Sequence, residues 1–254
     1  YPAVTDPIAW VVLRVVIGFC FSGVYVTAES WLNNAATNDT RGKALSLYLM
    51  VQMAGIVLAQ YIVAMGDVSG YALFIIPSVL VSLAFAPILL SIRPMPQFAQ
   101  TKPMTIRRLI EASPLGCFGM FLLGGVFASQ FGMSAIYGSR IGLSVSQVSL
   151  FVSVIYVSAL VAQYPIGWLS DRLDRRLLIM AVGFIGGVGA LLAYFVTDNF
   201  TVILISAAIL GGTSNPLYAL LIAYTNDYLE REDMAVASGG LLFINGIGAI
   251  AGPL

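Results

Sequence analysis

An all-α, polytopic membrane protein is what this 254-residue chain predicts, on three observations. Hydrophobic residues make up 59% of it and charged residues only 9%, where a soluble domain carries about 25% charged residues; mean hydropathy is +0.92. Apolar runs of roughly 20 residues, the length a helix needs to cross the hydrocarbon core of a bilayer, recur along the whole chain. The charges fall almost entirely between those runs, and the basic ones fall on alternate connections.

The runs cover 7–34, 43–66, 70–92, 114–138, 145–168, 177–197, 200–226 and 235–254. The first carries Arg14 about two turns inside its start and Glu29 fifteen residues further on, some 22 Å along a helix axis at ~1.5 Å per residue, so the two do not pair directly. The second follows Thr40-Arg41-Gly42-Lys43, where Asp39 or Thr40 is a suitable N-cap. After the third comes the only long polar connection, RPMPQFAQTKPMTIRRLIEAS over 93–113, whose prolines and basic pair Arg107-Arg108 read as a linker between two bundles. The fifth run ends in GWLSDRLDRR, 167–176, with Asp171, Arg172, Asp174, Arg175 and Arg176 concentrated in ten residues. The seventh contains Asn215-Pro216, where proline removes one helix hydrogen bond.

Because cytoplasmic loops are enriched in Lys and Arg, the connections can be assigned to sides. One side holds Arg41, Lys43, Arg93, Lys102, Arg107, Arg108, Arg172, Arg175, Arg176 and Arg231, ten of the twelve basic residues. The loops containing Arg41, Arg107, Arg172 and Arg231 are therefore expected in the cytoplasm, and the first helix runs inward. Sliding the first two runs by 193 residues pairs Gly18 with Gly211, Tyr25 with Tyr218, Asn33 with Asn226, Ala44 with Ala237, Leu49 with Leu242 and Gly55 with Gly248, with loops and sidedness in register. Such a shift of six helices implies two parallel halves of a twelve-helix protein. The chain then reads as a fragment, with 1–92 ending an N-terminal bundle, 93–113 linking, and 114–254 opening a C-terminal bundle. Three helices are expected before Tyr1 and about one after Leu254, and a counterpart of GWLSDRLDRR about 26 residues upstream of Tyr1.

Several chemistries lack support. There is no histidine, Cys20 and Cys117 both lie in apolar runs without CxxC spacing, and neither a metal nor another cofactor is expected. No GxxxxGK[ST] signature suggests ATP-driven work, and no paired intramembrane carboxylates or activated serine suggest an enzyme. The 12 basic and 12 acidic residues give no reason to expect a nucleic-acid partner.

The order G-x-L-S-D-R-x-x-R-R at 167–176 resembles the signature loop of the major facilitator superfamily, and Arg14-x-x-x-Gly18 resembles that superfamily's helix 4 motif. AESWLNNAATNDTRGKALSLY, 28–48, is similar to its bacterial YcaD-like branch. The resemblance numbers the runs as helices 4 to 11 of twelve and implies a bacterial inner-membrane protein. Two departures stand out. Asp174 occupies the loop's usual glycine position, where a left-handed turn would suit it poorly. Gly248-x-x-x-Gly252-Pro253 resembles an antiporter motif but falls in helix 11, with Gly55-x-x-x-Ala59-Gln60 at the helix 5 equivalent, so no antiporter is assigned.

The resemblance implies that Asp171 packs near the helix 5 start at Arg41, held by the helix N-terminus, while Arg172 or Arg175 meets Asp227 or Glu230; the bland reading is a solvated aspartate. Arg14 faces either a partner or watery cavity, or snorkels to the headgroups. Glu29 is either a proton-coupling carboxylate or a structural partner for arginines of the upstream loop. The cavity of such a fold is lined mainly by helices 1, 4, 7 and 10, which makes Tyr25, Gln130, Ser134, Asn215 and Tyr218 candidates, with Tyr156 and Asn245 beside them. Each is otherwise a hydrogen-bonding bridge between helices. The resulting expectation is a monomeric secondary transporter working by alternating access on a small solute, coupled to H+; the alternative is a non-transporting sensor or scaffold on the same fold.

Overall fold

The computed structural model describes residues 6–35, 41–67, 70–89 and 104–253. Every regular element among them is helical: α1 Pro7–Ala35, α2 Arg41–Met65, α3 Ala72–Leu89, α4 Ile106–Ala112, α5 Pro114–Ala128, a π turn Ser129–Met133, α6 Ser134–Arg140, α7 Val145–Ser170, α8 Arg175–Phe195, α9 Phe200–Asn226 and α10 Arg231–Ala251. Among the described residues, five helical segments are long and apolar enough to cross a membrane: Pro7–Tyr25, Pro114–Arg140, Val145–Ser170, Arg175–Phe195 and Phe200–Asn226.

The helix starts follow from local chemistry. Asp6 Oδ1 accepts from the backbone N–H groups of Ile8 and Ala9 at 2.7 and 3.3 Å, ahead of Pro7, whose missing donor costs nothing at that position. Ser144 and Gln147 form a reciprocal capping box on α7, and Asn199 caps α9 through Thr201 and Val202. At the end of α6, Gly142 has φ +80, while Leu143 N–H reaches Gly138 O and Gly142 N–H reaches Ser139 O. That is a Schellman ending, and its left-handed residue is glycine because a Cβ would clash there.

The described helices fall into two compact units, α1–α3 in the first, apart from Ile56–Gln60 of α2, and α4–α10 in the second. In the first, Trp10 of α1 meets Phe74 of α3 edge-on at 6.3 Å. In the second, α7 and α8 both pack on α9, and α10 packs on α5. The α5–α10 crossing is close: a Cβ on Gly248 would land on the Phe121 carbonyl oxygen, and one on Gly124 on the Asn245 carbonyl oxygen. Helices in lipid gain stability from such backbone approach, since the surrounding tails offer no hydrophobic contrast. Gly248 and Gly252 therefore have a packing role against α5.

Within the 93–113 stretch, residues 106–112 are folded as α4 rather than extended chain. Leu109 is 1% exposed, packed over Gly240 of α10, and Arg108 Nη2 donates to Asp233 Oδ2 at 2.8 Å. Ser113, just after α4, shares a buried hydroxyl hydrogen bond with Thr225 at 3.2 Å. These contacts make α4 part of the second unit's core.

Candidate functional site

Two polar assemblies interrupt the apolar interior of the second unit, one at mid-depth and one at the end where α7 turns into α8.

The mid-depth assembly is built on the π turn. A π turn spaces its hydrogen bonds five residues apart and leaves neighbouring carbonyls poorly served by the α-helical ladder. Here serine hydroxyls stand at its first residue and just past its last: Ser129 Oγ donates to Gly125 O at 3.0 Å and Ser134 Oγ to Gln130 O at 2.6 Å. Gln130, inside the turn, is 8% exposed, and its Oε1 accepts from Ser214 Oγ of α9 at 3.1 Å. Its Nε2 is buried without a partner, as is Nδ2 of Asn215, the next residue on α9. An aromatic run lines the same region: Tyr218 to Phe127 at 6.1 Å, Phe127 to Phe131 at 5.7 Å and Phe131 to Tyr156 at 5.6 Å. It joins α9, α5, the π turn and α7. Pro216 is fully buried in α9, so the ladder lacks one N–H directly beside Asn215.

At the charged end, Asp171 closes α7 and Asp174 caps α8. Asp174 has φ −58 and accepts from the backbone N–H groups of Arg176 and Leu177 at 2.8 and 3.2 Å. The expectation that an aspartate is ill suited to this position does not hold, because the backbone is not left-handed there and the carboxylate satisfies two orphan donors of α8. Arg175 is the hub. Its Nη1 pairs with Asp227 at the end of α9 and donates to Ala223 O at 3.5 Å, while Nε donates to Ser170 Oγ at 3.2 Å. Asp171 lies 4.0 Å from Arg175 with a side chain 79% exposed, so it contributes little to the pair. Arg172 stacks on Trp168 instead, 3.6 Å above the ring. A cavity of about 270 Å³ opens beside this hub between α7 and α9, lined by Gln163, Ser170, Asp171, Arg175, Pro216 and Ala223 among others.

The sequence-predicted residues thus divide. Gln130, Ser134, Tyr156 and Tyr218 gather around the π turn through Ser214, Phe127 and Phe131, Asn215 follows Ser214 along α9, and Arg175 meets Asp227. Asn245 is placed as a bridge, donating from Nδ2 to Met120 O at 3.0 Å across the α5–α10 crossing. Tyr25 is 41% exposed on α1, tilted against Phe21 at 6.2 Å. Arg14 is also exposed on α1, and no ion pair to it occurs among the described residues. Glu29 and Arg41 lie within α1 and α2, but their side chains fall outside the described residues, as do Asp39 and Thr40 entirely. Sequence reasoning missed Ser214, Phe127, Phe131, Trp168 and Ser170; of these only Trp168 carried a readable signal, its position four residues before Arg172.

A family model described as Major Facilitator Superfamily matches residues 2–253. The chain belongs to the major facilitator superfamily. Among similar proteins, the "Uncharacterized MFS-type transporter YcaD" of Escherichia fergusonii is 25% identical over 249 residues, covering 96% of this chain and 64% of that protein. An "Uncharacterized MFS-type transporter" of Yersinia pestis is 26% identical over 249 residues, and the YcaD protein of Salmonella arizonae 24% identical over 255, with the same coverage. The chain spans 64% of the length of these relatives. With every regular element among the described residues helical and five of the helical segments membrane-length, it is an all-α, multi-pass membrane protein of the superfamily. The signature-like loop of that superfamily is here the capped turn between α7 and α8.

Proposed function

We propose that the chain is part of a secondary transporter that moves a small polar or amphipathic solute by alternating access. The observation that carries this reading is the mid-depth assembly around the π turn. Polar side chains at the middle of membrane helices are expensive and serve either as bridges between helices or as lining for a solute path. Gln130 and Asn215 each keep an amide nitrogen unpaired, which a bridging role alone does not account for. Membership of a superfamily that includes proteins named as transporters supports the same reading.

The full protein is proposed to sit in a bacterial inner membrane as a monomer, with the loops at Arg41, Arg107, Arg172 and Arg231 on the cytoplasmic side, where ten of the twelve basic residues cluster. The Arg175–Asp227 hub then lies at the cytoplasmic end, and Asp171, largely exposed there, is free to engage the opposite bundle as a latch. Protons are the proposed coupling ion, with Glu29 the candidate carrier and Arg14 its companion on the same helix. The chain carries no proposed enzymatic role.

Uptake into proteoliposomes by the full-length protein, across a panel of solutes with and without an imposed pH gradient, tests the function. Flux that rises with an inward proton gradient is expected, and Glu29→Gln should abolish that rise. Gradient-independent flux that Glu29→Gln leaves intact removes the coupling role and leaves uniport. Asp171→Asn should shift cysteine accessibility towards the cytoplasmically open form; an unchanged accessibility pattern removes the latch.

A further inference from the structure

The membrane-length span Pro114–Arg140 is held very differently before and after its π turn. Before it, α5 is fastened to its neighbours at close range. A Cβ on Gly116 or Gly119 would strike Thr225 or Leu221 of α9, one on Gly124 would strike the α10 backbone, and Asn245 adds its bond to Met120 O. Gln130 continues this anchorage, through Ser214 of α9 at 3.1 Å. The next three residues, Phe131, Gly132 and Met133, are all exposed. Gly132 has open space where a Cβ would stand, and Met133 sits at φ −106, ψ −12, away from regular helical values of about −63 and −42.

Past this weak point α6 is only seven residues long, with Ser134 and Gly138 as its buried members. Gly138 lies against the Val148 side chain near the start of α7. Across to α8, the Tyr137 hydroxyl donates to Ala193 O at 2.9 Å. That carbonyl is available for a local reason. An α-helix leaves its last carbonyls without an intrahelical donor, and α8 stops at Phe195; Leu192 O takes the Val196 N–H, and Ala193 O takes the tyrosine hydroxyl. Thr197 and Asp198, just beyond, are exposed, so water reaches this helix end and can replace the hydroxyl when the bond opens. A short helix thus has an irregular backbone at one end and a replaceable catch along its length.

We infer that α6 is a lever that swings on Gly132 and Met133 and is caught by Tyr137 on the end of α8, at the side of the unit opposite the charge hub. This movement lies within one bundle. Rigid rocking of one bundle against another leaves every distance inside each bundle unchanged, so the two motions are separable. The purpose of the swing rests on the transport reading: it carries Phe131, and with it one member of the aromatic run between Phe127 and Tyr156. The swing itself is measured without any solute.

The test places spin labels on the full-length protein in nanodiscs, its native cysteines replaced, and reads distances by pulsed electron spin resonance. One pair joins Ser139 on α6 to Asp198 beyond α8; a second joins Asp198 to Ala251 at the end of α10, all exposed positions. The first pair should show two distances. Tyr137→Phe, which loses one neutral hydrogen bond, should raise the ratio of the longer to the shorter about fivefold. Gly132→Ala, which stiffens the backbone where a methyl has room, should lower it about twofold. The second pair should keep one distance throughout. A single Ser139–Asp198 distance, a ratio indifferent to Tyr137→Phe, or an Asp198–Ala251 distance that changes alongside overturns the inference. Should Tyr137→Phe not fold, an unchanged ratio in Gly132→Ala overturns it equally. If the distances behave as described yet no solute is carried in proteoliposomes, the transport reading fails and the lever stands. If solute is carried while the first pair keeps one distance, the reverse holds.

Discussion

The charge hub at the α7–α8 turn should be worth about 1 kcal/mol through a single pair, Arg175 with Asp227. The side chains are 27% and 48% exposed. That places the pair between an exposed ion pair, worth 0.2 to 1 kcal/mol in roughly median cases, and a buried one, whose breakage costs about 3 to 5 kcal/mol. Losing Asp227 leaves the guanidinium with two neutral acceptors, Ser170 Oγ and Ala223 O, which hold part of its solvation. Asp227→Ala should therefore cost about 1.5 kcal/mol, and the coupling energy from a double-mutant cycle with Arg175→Gln should be about 1 kcal/mol. Asp171→Asn, removing a more distant and largely exposed carboxylate, should cost only a few tenths, ~0.3 kcal/mol or less. Chemical unfolding of the full-length protein in mixed micelles measures all four corners of the cycle. A coupling below about 0.3 kcal/mol, within the noise of additivity, or an Asp171 effect equal to that of Asp227, would refute the assignment of Asp227 as the partner.

Three further outcomes follow from the same geometry. Asp174→Ala should lower stability by about 0.5 to 2 kcal/mol and Asp174→Gly by only a few tenths, because the carboxylate caps α8 in ordinary backbone geometry; unfolding midpoints of the two variants check the order. Asn245→Leu should cost roughly 0.6 to 1.7 kcal/mol by losing its bond to the Met120 carbonyl, again read as an unfolding midpoint, with solute binding unchanged. Gly248→Val should cost more than about 3 kcal/mol or prevent folding, since a side chain there meets the Phe121 carbonyl and the backbones must separate; Gly246→Val, at a position with open space, is the control and should be tolerated.

Most of the helical architecture was legible because it depends on quantities that sequence carries locally. Hydropathy over a 20-residue window marks a span, and the capping residues Ser144 and Asn199 sit where the apolar runs begin. The π turn was not legible. FASQFGMSA contains no charge or proline, and inserting one residue into a turn leaves hydropathy unchanged; the available signal was the pair of serines on either side of Gln130 and Gly132. The choice of Asp227 over Glu230 by Arg175 is a contact across 52 residues, set by how α8 and α9 pack and not by spacing. The docking of α4 had a trace in Ile106, Leu109 and Ile110, three apolar residues at helical spacing within a basic segment, which composition alone reads as connecting chain. The residues around the π turn were named one by one as polar groups at mid-depth. Their union through Ser214 and the aromatic run emerges only from tertiary packing.

The claim most exposed to test is that two bundles alternate access to a mid-depth site, and counterflow addresses it directly. Proteoliposomes holding the full-length protein are preloaded with a high concentration of unlabelled solute found to be carried, then diluted into a trace of the labelled form. Alternating access predicts accelerated labelled uptake with a transient overshoot above equilibrium, reduced in Gln130→Glu. Labelled solute that enters without overshoot and without stimulation by the preload would contradict it, because a continuous pore behaves in that way and a rocking carrier does not.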